Sequence, residues 1–188
     1  MFLQRHGIAR EFSADAGVAW SVLAVPMLLL VHDTWFYWMH RALHTKALFR
    51  RFHKQHHLSI DPSPLTSFAF HPAEAVAESF FIILVFLVVP LPRASMIIFQ
   101  LIAFGVNIYG HLGIELLPRS FAASPLFQLL NTTTHHHQHH RCANANFGLY
   151  FNVWDRILGT NHPDYETAFV TRSFNSTFKR DTTVTRGP

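Results

Sequence analysis

The chain has 188 residues, 49% of them apolar and only 14% charged, with 19 phenylalanines, 15 histidines and one cysteine. A soluble domain carries about 25% charged residues, so this balance excludes disorder, a coiled coil and a disulfide scaffold and divides the chain into a membrane part and a polar part. The net charge of +4 comes from 15 Lys and Arg spread along the chain, which argues against a nucleic-acid partner, and the surplus of imidazole points to metal.

In chain order, residues 1–16 form a separate N-terminal segment. Its Arg5, His6, Arg10, Glu11 and Asp15 leave no apolar core, so no cleavable signal peptide is expected. A membrane domain is expected over residues 17–170. Its first apolar stretch is Val18 to Val31, running on through Trp35, Phe36, Tyr37 and Trp38; the second is Ala73 to Val89; the third is Ala94 to Tyr109. Pro90-Leu91-Pro92-Arg93 is a turn signal, which makes the last two stretches a hairpin of antiparallel neighbours. As helices they reach about 25 Å, against a hydrocarbon core of about 30 Å. The unbroken run from Phe80 to Val89 has none of the polar breaks of an amphipathic soluble helix.

Arg41, Lys46, Arg50, Arg51 and Lys54 precede the hairpin with no acid among them, so this loop is expected on the cytoplasmic side. A hairpin returns to the side it left, which brings His71, His111 and the histidine-rich regions 40–57 and 135–140 to one face. From Ser120 onward the chain reads as a polar cap of short helices and loops, and the tail 171–188 is expected to be poorly ordered. The predicted fold is therefore all-α: an integral membrane helical bundle with a transmembrane hairpin and a cytoplasmic, histidine-rich cap.

His40 and His44 stand at i and i+4 of a helix. His53, His56 and His57 stand at i, i+3 and i+4, and His136, His139 and His140 repeat that spacing. Residues so spaced share one helix face, so each set is read as a metal clamp. Eight imidazoles exceed the four to six ligands of one ion, which implies two metals. His111 is the expected ninth ligand. His71 is a further candidate, although a histidine before Pro72 equally suits the start of the hairpin helix. His135 and His137 fall off the ligand face and are read as solvated or as outer partners. His6, His32 and His162 are read as structural or exposed. Glu74, Glu78, Glu115 and Asp155 are candidates to offset the positive charge or to accept from the other ring nitrogen. Ordinary capping roles fit these acids as well.

The ordered motifs HRALH (40–44), HKQHH (53–57), SFAFHP (67–72), NIYGH (107–111), HHQHH (136–140) and NFGLYFNVWDRILGT (146–160) resemble the fatty acid hydroxylase / sterol desaturase superfamily. The segment Asp33 to His44 and the closing Trp154-Asp155-Arg156 are most similar to its sterol C-5 desaturase branch. The resemblance implies a membrane-bound non-haem di-iron oxidoreductase. Such an enzyme uses O2 and external electrons to hydroxylate or desaturate a C–H bond of a sterol or fatty acyl lipid. By motif it carries metal ligation to His40, His44, His53, His56, His57, His111, His136, His139 and His140. Asn107 departs from relatives that have HxxxH at 107–111; it is placed with Asp155, Glu115 and Trp154 around the ligands. Relatives usually have further helices before the first histidine motif, so the chain is expected to be a short or truncated member.

No dinucleotide fingerprint or haem-attachment motif is present. Electrons are therefore expected from a partner, which the resemblance makes a cytochrome b5-type or ferredoxin-type protein. Residues 41–54 offer it a basic docking stretch. Phe80, Phe81, Phe86, Phe99 and Phe104 either line a lipid path or pack. The implied location is the bacterial inner membrane or the endoplasmic reticulum. The residues alone also admit a membrane metal-binding or transport protein and a membrane zinc hydrolase.

Overall fold

The structure is a computed structural model that describes residues 17–173. The segment 1–16, with His6, and the tail from residue 174 lie outside the described residues, as does the side chain of Phe86. Three long helices dominate: α1 (Val18–Leu43), α2 (Pro72–Val88) and α3 (Arg93–Gly110). Three shorter ones form the cap: α4 (Thr133–Cys142), α5 (Val153–Ile157) and α6 (Tyr165–Arg172). There is no strand among the described residues; one antiparallel bridge joins Leu130 to Phe151.

α1 and α3 are long and apolar enough to cross a membrane. Only 17% of the most apolar part of α1 and 11% of that of α3 is buried, which is the reverse of the core helix of a soluble bundle. Val22, Leu23 and Leu30 on α1, Val76, Ile83 and Val88 on α2, and Ile97, Leu101 and Phe104 on α3 face outward. Contiguous apolar surface on this scale marks a face that meets lipid or another protein.

The two hairpin arms pack on α1 more than on each other, a departure from the neighbour pairing expected of so short a turn. Ala24, Leu28, Phe81, Leu91 and Phe99 form the core where the arms meet α1 near the turn. Ser95 donates to the Ser21 carbonyl and Trp20 to the Pro90 carbonyl, which fixes this end. A second core of Phe127, Tyr165 and Phe169 holds the cap together.

Asp33 joins the two parts. Its buried carboxylate accepts from the N–H groups of Tyr150 (2.8 Å) and Phe151 (3.1 Å), tying mid-α1 to the strap that bridges Leu130. Trp154 donates to Thr34 and stacks on Tyr37. The histidine helix α4 is therefore set over the C-terminal end of α1, and the ends of α2 and α3 that carry Glu74 and His111 arrive beside it.

Candidate metal centre

α4 begins at Thr132, whose hydroxyl accepts the His135 N–H. The buried Glu115 carboxylate accepts from Thr134 N–H and from the hydroxyls of Thr133 and Thr134. These contacts satisfy the free N–H groups of the helix start and place negative charge on its positive end. At the other end Ala143 takes φ 55° and returns its N–H to the His139 carbonyl. A left-handed alanine costs roughly 1 kcal/mol. It turns the chain so that the Ala145 carbonyl lies against His139.

Residues 53–57 do not form the expected α-helix. The chain runs as a π-helical turn over Phe49–His53 and a 3-10 turn over His56–Leu58. His53 and His57 join His40, His44 and His139 in one group, while His56 joins His111, His136 and His140 in another. Within each group the candidate ligand nitrogens lie within 4.8 Å of one another. Each HxxHH motif thus divides: its i, i+4 pair serves one group and its middle histidine the other, in place of one clamp per motif. The groups share a wall, with the rings of His57 and His140 stacked at 4.7 Å.

The Nδ1 atoms fix the tautomers. Nδ1–H donates to the Phe147 carbonyl from His40 (3.0 Å), to Ala145 from His139 (2.8 Å), to Ser59 from His140 (3.0 Å) and to Asn107 from His111 (2.7 Å). His53 donates to the Glu74 carboxylate at 2.6 Å. A neutral imidazole protonated at Nδ1 carries only a lone pair at Nε2. Yet Nε2 of His40 lies 3.2 Å from Nε2 of His53, His139 lies 3.1 Å from His57, and His111 lies 3.2 Å from His56. Between His40 and His53 neither atom has a proton to give. Nε2 of His44 and of His140 is buried with no partner. Converging lone pairs in a buried site call for a cation, so this donor set fits metal.

Burial holds these imidazoles in the neutral, ligating form. It lowers His57 to about 4 and, with the positive charge that His111 would carry, His56 to about 3. His136 and His139 are held well below the ordinary value of 6.5 for the same reason, burial first and neighbouring histidines next. The sign for stability follows. Below about pH 6.5 the unfolded chain takes up protons that the folded chain refuses. The metal-free protein should therefore melt at a lower temperature at pH 5 than at pH 7.5, a shift that thermal unfolding in detergent measures.

The remaining predicted residues fall elsewhere. The ring of His71 accepts from the Ala73 N–H and caps α2, outside both groups. Glu115 holds the start of α4 and touches no imidazole. The Asn107 side chain donates to the Ser67 carbonyl, and it is the Asn107 backbone that accepts from His111. Trp154 packs on α1. Asp155 accepts from the N–H groups of Phe147 and Gly148 and from Thr160, so it sets the carbonyl that orients His40. His135 and His137 are buried, not solvated; His135 lies 3.5 Å from Asp155, and His137 lies between Asp61 and Arg172. His162 pairs with Gln138. His32 bonds the Tyr150 hydroxyl at 2.8 Å against Phe81 and Phe99. Of the acids weighed from sequence, Glu74 alone meets an imidazole of either group. Glu74→Gln should weaken metal binding about 10- to 100-fold, as titration of the apoprotein with Fe(II) or Co(II) would show.

A cavity of about 180 Å³ opens from His40, His53, His56, His111 and His136 and runs between the hairpin arms. Phe36, the core residue Phe99 and the half-exposed Phe104 line it, whereas Phe80 and Phe81 do not. The sequence reading missed Asp33, Thr132 and the four carbonyl acceptors. A carbonyl carries no side-chain signal; the Thr132-Thr133-Thr134 run before the histidines was the visible clue to the cap.

Fold and site together define a helical protein with apolar outer faces and two histidine groups able to hold a pair of metal ions. The chain belongs to the fatty acid hydroxylase family, whose sequence profile matches residues 25–160. It is 31% identical to human lathosterol oxidase over 74% of this chain and 45% of that protein. It is 30% identical to a Delta(7)-sterol 5(6)-desaturase of Aspergillus fumigatus over 87% of this chain and 45% of the relative. A very-long-chain aldehyde decarbonylase of Arabidopsis thaliana is 31% identical over 80% of this chain and 26% of its own length. The chain spans less than half the length of these curated relatives. No solved structure matches it.

Proposed function

We propose that the chain is a membrane-bound di-iron oxidoreductase that uses O2 and two external electrons to hydroxylate or desaturate a C–H bond of a sterol or fatty acyl lipid. The observation that carries this reading is the convergence of buried, unprotonated Nε2 atoms in two adjoining groups beside an apolar cavity. The family match and the sterol-modifying relatives support the lipid substrate. His40, His44, His53, His57 and His139 would hold one ion, and His56, His111, His136 and His140 the other. Iron bound there supplies the redox chemistry that activates O2; zinc has no redox chemistry to offer.

The chain's own residues do the rest. Glu74 and four carbonyls aim the rings, and Glu74 contributes negative charge beside two cations. Phe36, Phe99 and Phe104 keep water from the oxidised carbon. Lys46, Arg50, Arg51 and Lys54 are exposed on the loop that carries His53. Such a cluster favours a cytoplasmic loop and would suit docking of an acidic electron donor of cytochrome b5 or ferredoxin type. The experiment is an O2-uptake assay on the iron-loaded protein in membranes, with reductant and a lipid extract, followed by mass analysis. Reductant-dependent O2 uptake with a lipid product gaining one oxygen or losing two hydrogens supports the reading. Lipid hydrolysis without O2 uptake, or zinc-supported turnover, contradicts it.

A further inference from the structure

Two polar side chains in the hairpin are unaccounted for by metal binding or by packing. Glu78 lies one helical turn, about 6 Å, beyond Glu74 on α2, and Gln100 lies near the middle of α3. Both line the cavity, as does Ser79; Glu78 is half-buried and Gln100 exposed. Neither side chain forms a hydrogen bond or ion pair with another described residue. An acid and an amide within apolar, lipid-facing helices are costly. Where such groups occur they face a cavity and mark a substrate path.

We propose that Glu78 and Gln100 form a polar subsite at the side mouth of the cavity that selects lipids bearing a hydroxyl group. The hydroxyl donates to the Glu78 carboxyl group and accepts from the Gln100 amide, while the apolar body of the lipid fills the space along Phe99 and Phe104. Because Glu78 stands only one turn from the residue that orients His53, the carbon presented to the histidines lies close to the hydroxyl end of the lipid and far from its hydrocarbon terminus. This deepens the reading of the chain as a lipid oxidase and rests on it. It assigns recognition to residues outside both histidine groups.

The test is equilibrium binding of tritiated lipids to the full chain in detergent, with two matched pairs: cholestanol against cholestane, and octadecanol against octadecane. A site built to pair a hydroxyl penalises the analogue that lacks it, so in at least one pair the alcohol binds about tenfold tighter or more. Glu78→Leu and Gln100→Leu remove that preference and leave hydrocarbon affinity and iron content unchanged. Glu78→Gln, which keeps an acceptor, retains most of it and serves as the folded control. Equal binding within both pairs, binding of none of the four lipids, or Leu variants that keep the preference overturns the subsite. The oxidase reading fails separately: iron-loaded protein that consumes O2 and modifies lipid without any alcohol preference sinks the subsite alone, whereas a protein that binds alcohols selectively but holds no iron sinks the oxidase.

Discussion

His56→Ala and His139→Ala each abolish lipid oxidation while the protein still inserts in the membrane and still binds about one metal in place of two. The two substitutions act on different groups. His139 reaches Nε2 of His57 at 3.1 Å in the five-histidine group, and His56 reaches Nε2 of His111 at 3.2 Å in the four-histidine group. Neither residue lies on the three long helices that give the chain its apolar outer faces, so insertion is untouched. Loss of a group that orients a ligand costs about 10- to 100-fold; loss of the ligand itself should cost more, taking turnover below about one hundredth of wild type. Product analysis and metal counting on the same preparations check the result. A variant that keeps both metals and wild-type turnover removes that histidine from the centre.

Asp155→Ala destabilises the cap by about 3 kcal/mol or more and loosens the five-histidine group as well. Asp155 is fully buried and accepts from Phe147 N–H (2.9 Å), Gly148 N–H (2.7 Å) and the Thr160 hydroxyl (2.7 Å). Alanine leaves the two N–H groups without a partner in a buried site and the Thr160 hydroxyl with only the Tyr37 hydroxyl, 2.9 Å away. Gly148 compounds the effect. A Cβ there would sit 2.7 Å from the Phe151 carbonyl and 3.0 Å from Asp155, so the backbone passes where only glycine fits. The Phe147 carbonyl that this loop presents to His40 then drifts, and metal affinity falls with stability. Burial alone would raise the Asp155 carboxyl, but the His135 ring 3.5 Å away and the hydrogen bonds from Thr160 and Phe147 N–H hold it below its ordinary 3.8. Its contribution is therefore complete above about pH 4 and lost as pH falls through the folded value. Denaturant melts of wild type and Asp155→Ala at pH 7 measure the difference. Equal midpoints would show that the loop is held by something else.

Much of the site was legible because metal ligation leaves a periodic signature. The spacing of His40 and His44, and of the two HxxHH motifs, named the residues that the fold assembles, and the hairpin argument named His111. What spacing could not reveal was the division of each motif between two groups. That depends on where the two motifs face each other across the site: the regular helix that carries His136, His139 and His140 divides in the same way as the irregular 53–57 turn. The acids were only partly legible. A carboxylate such as Glu74, one turn into a helix, reads from sequence as an ordinary dipole partner until His53 is seen at 2.6 Å. Glu115 and Asp155 serve backbone and hydroxyl donors, so their effect on imidazoles is indirect. The three apolar stretches were plain in composition, whereas the cavity between the arms was not, since a short turn implies helices that touch.

In the proposed function, nine histidines from four segments of the chain hold a pair of redox ions. The most direct measurement is metal content with Mössbauer spectroscopy on full-length protein expressed with iron-57 and purified without oxygen. Two high-spin Fe(II) ions per chain in nitrogen-rich coordination are expected, with loss of one set of signals in His139→Ala. Folded, membrane-inserted protein that takes up no iron, or holds a single ion unaffected by His56→Ala and His139→Ala, would contradict it.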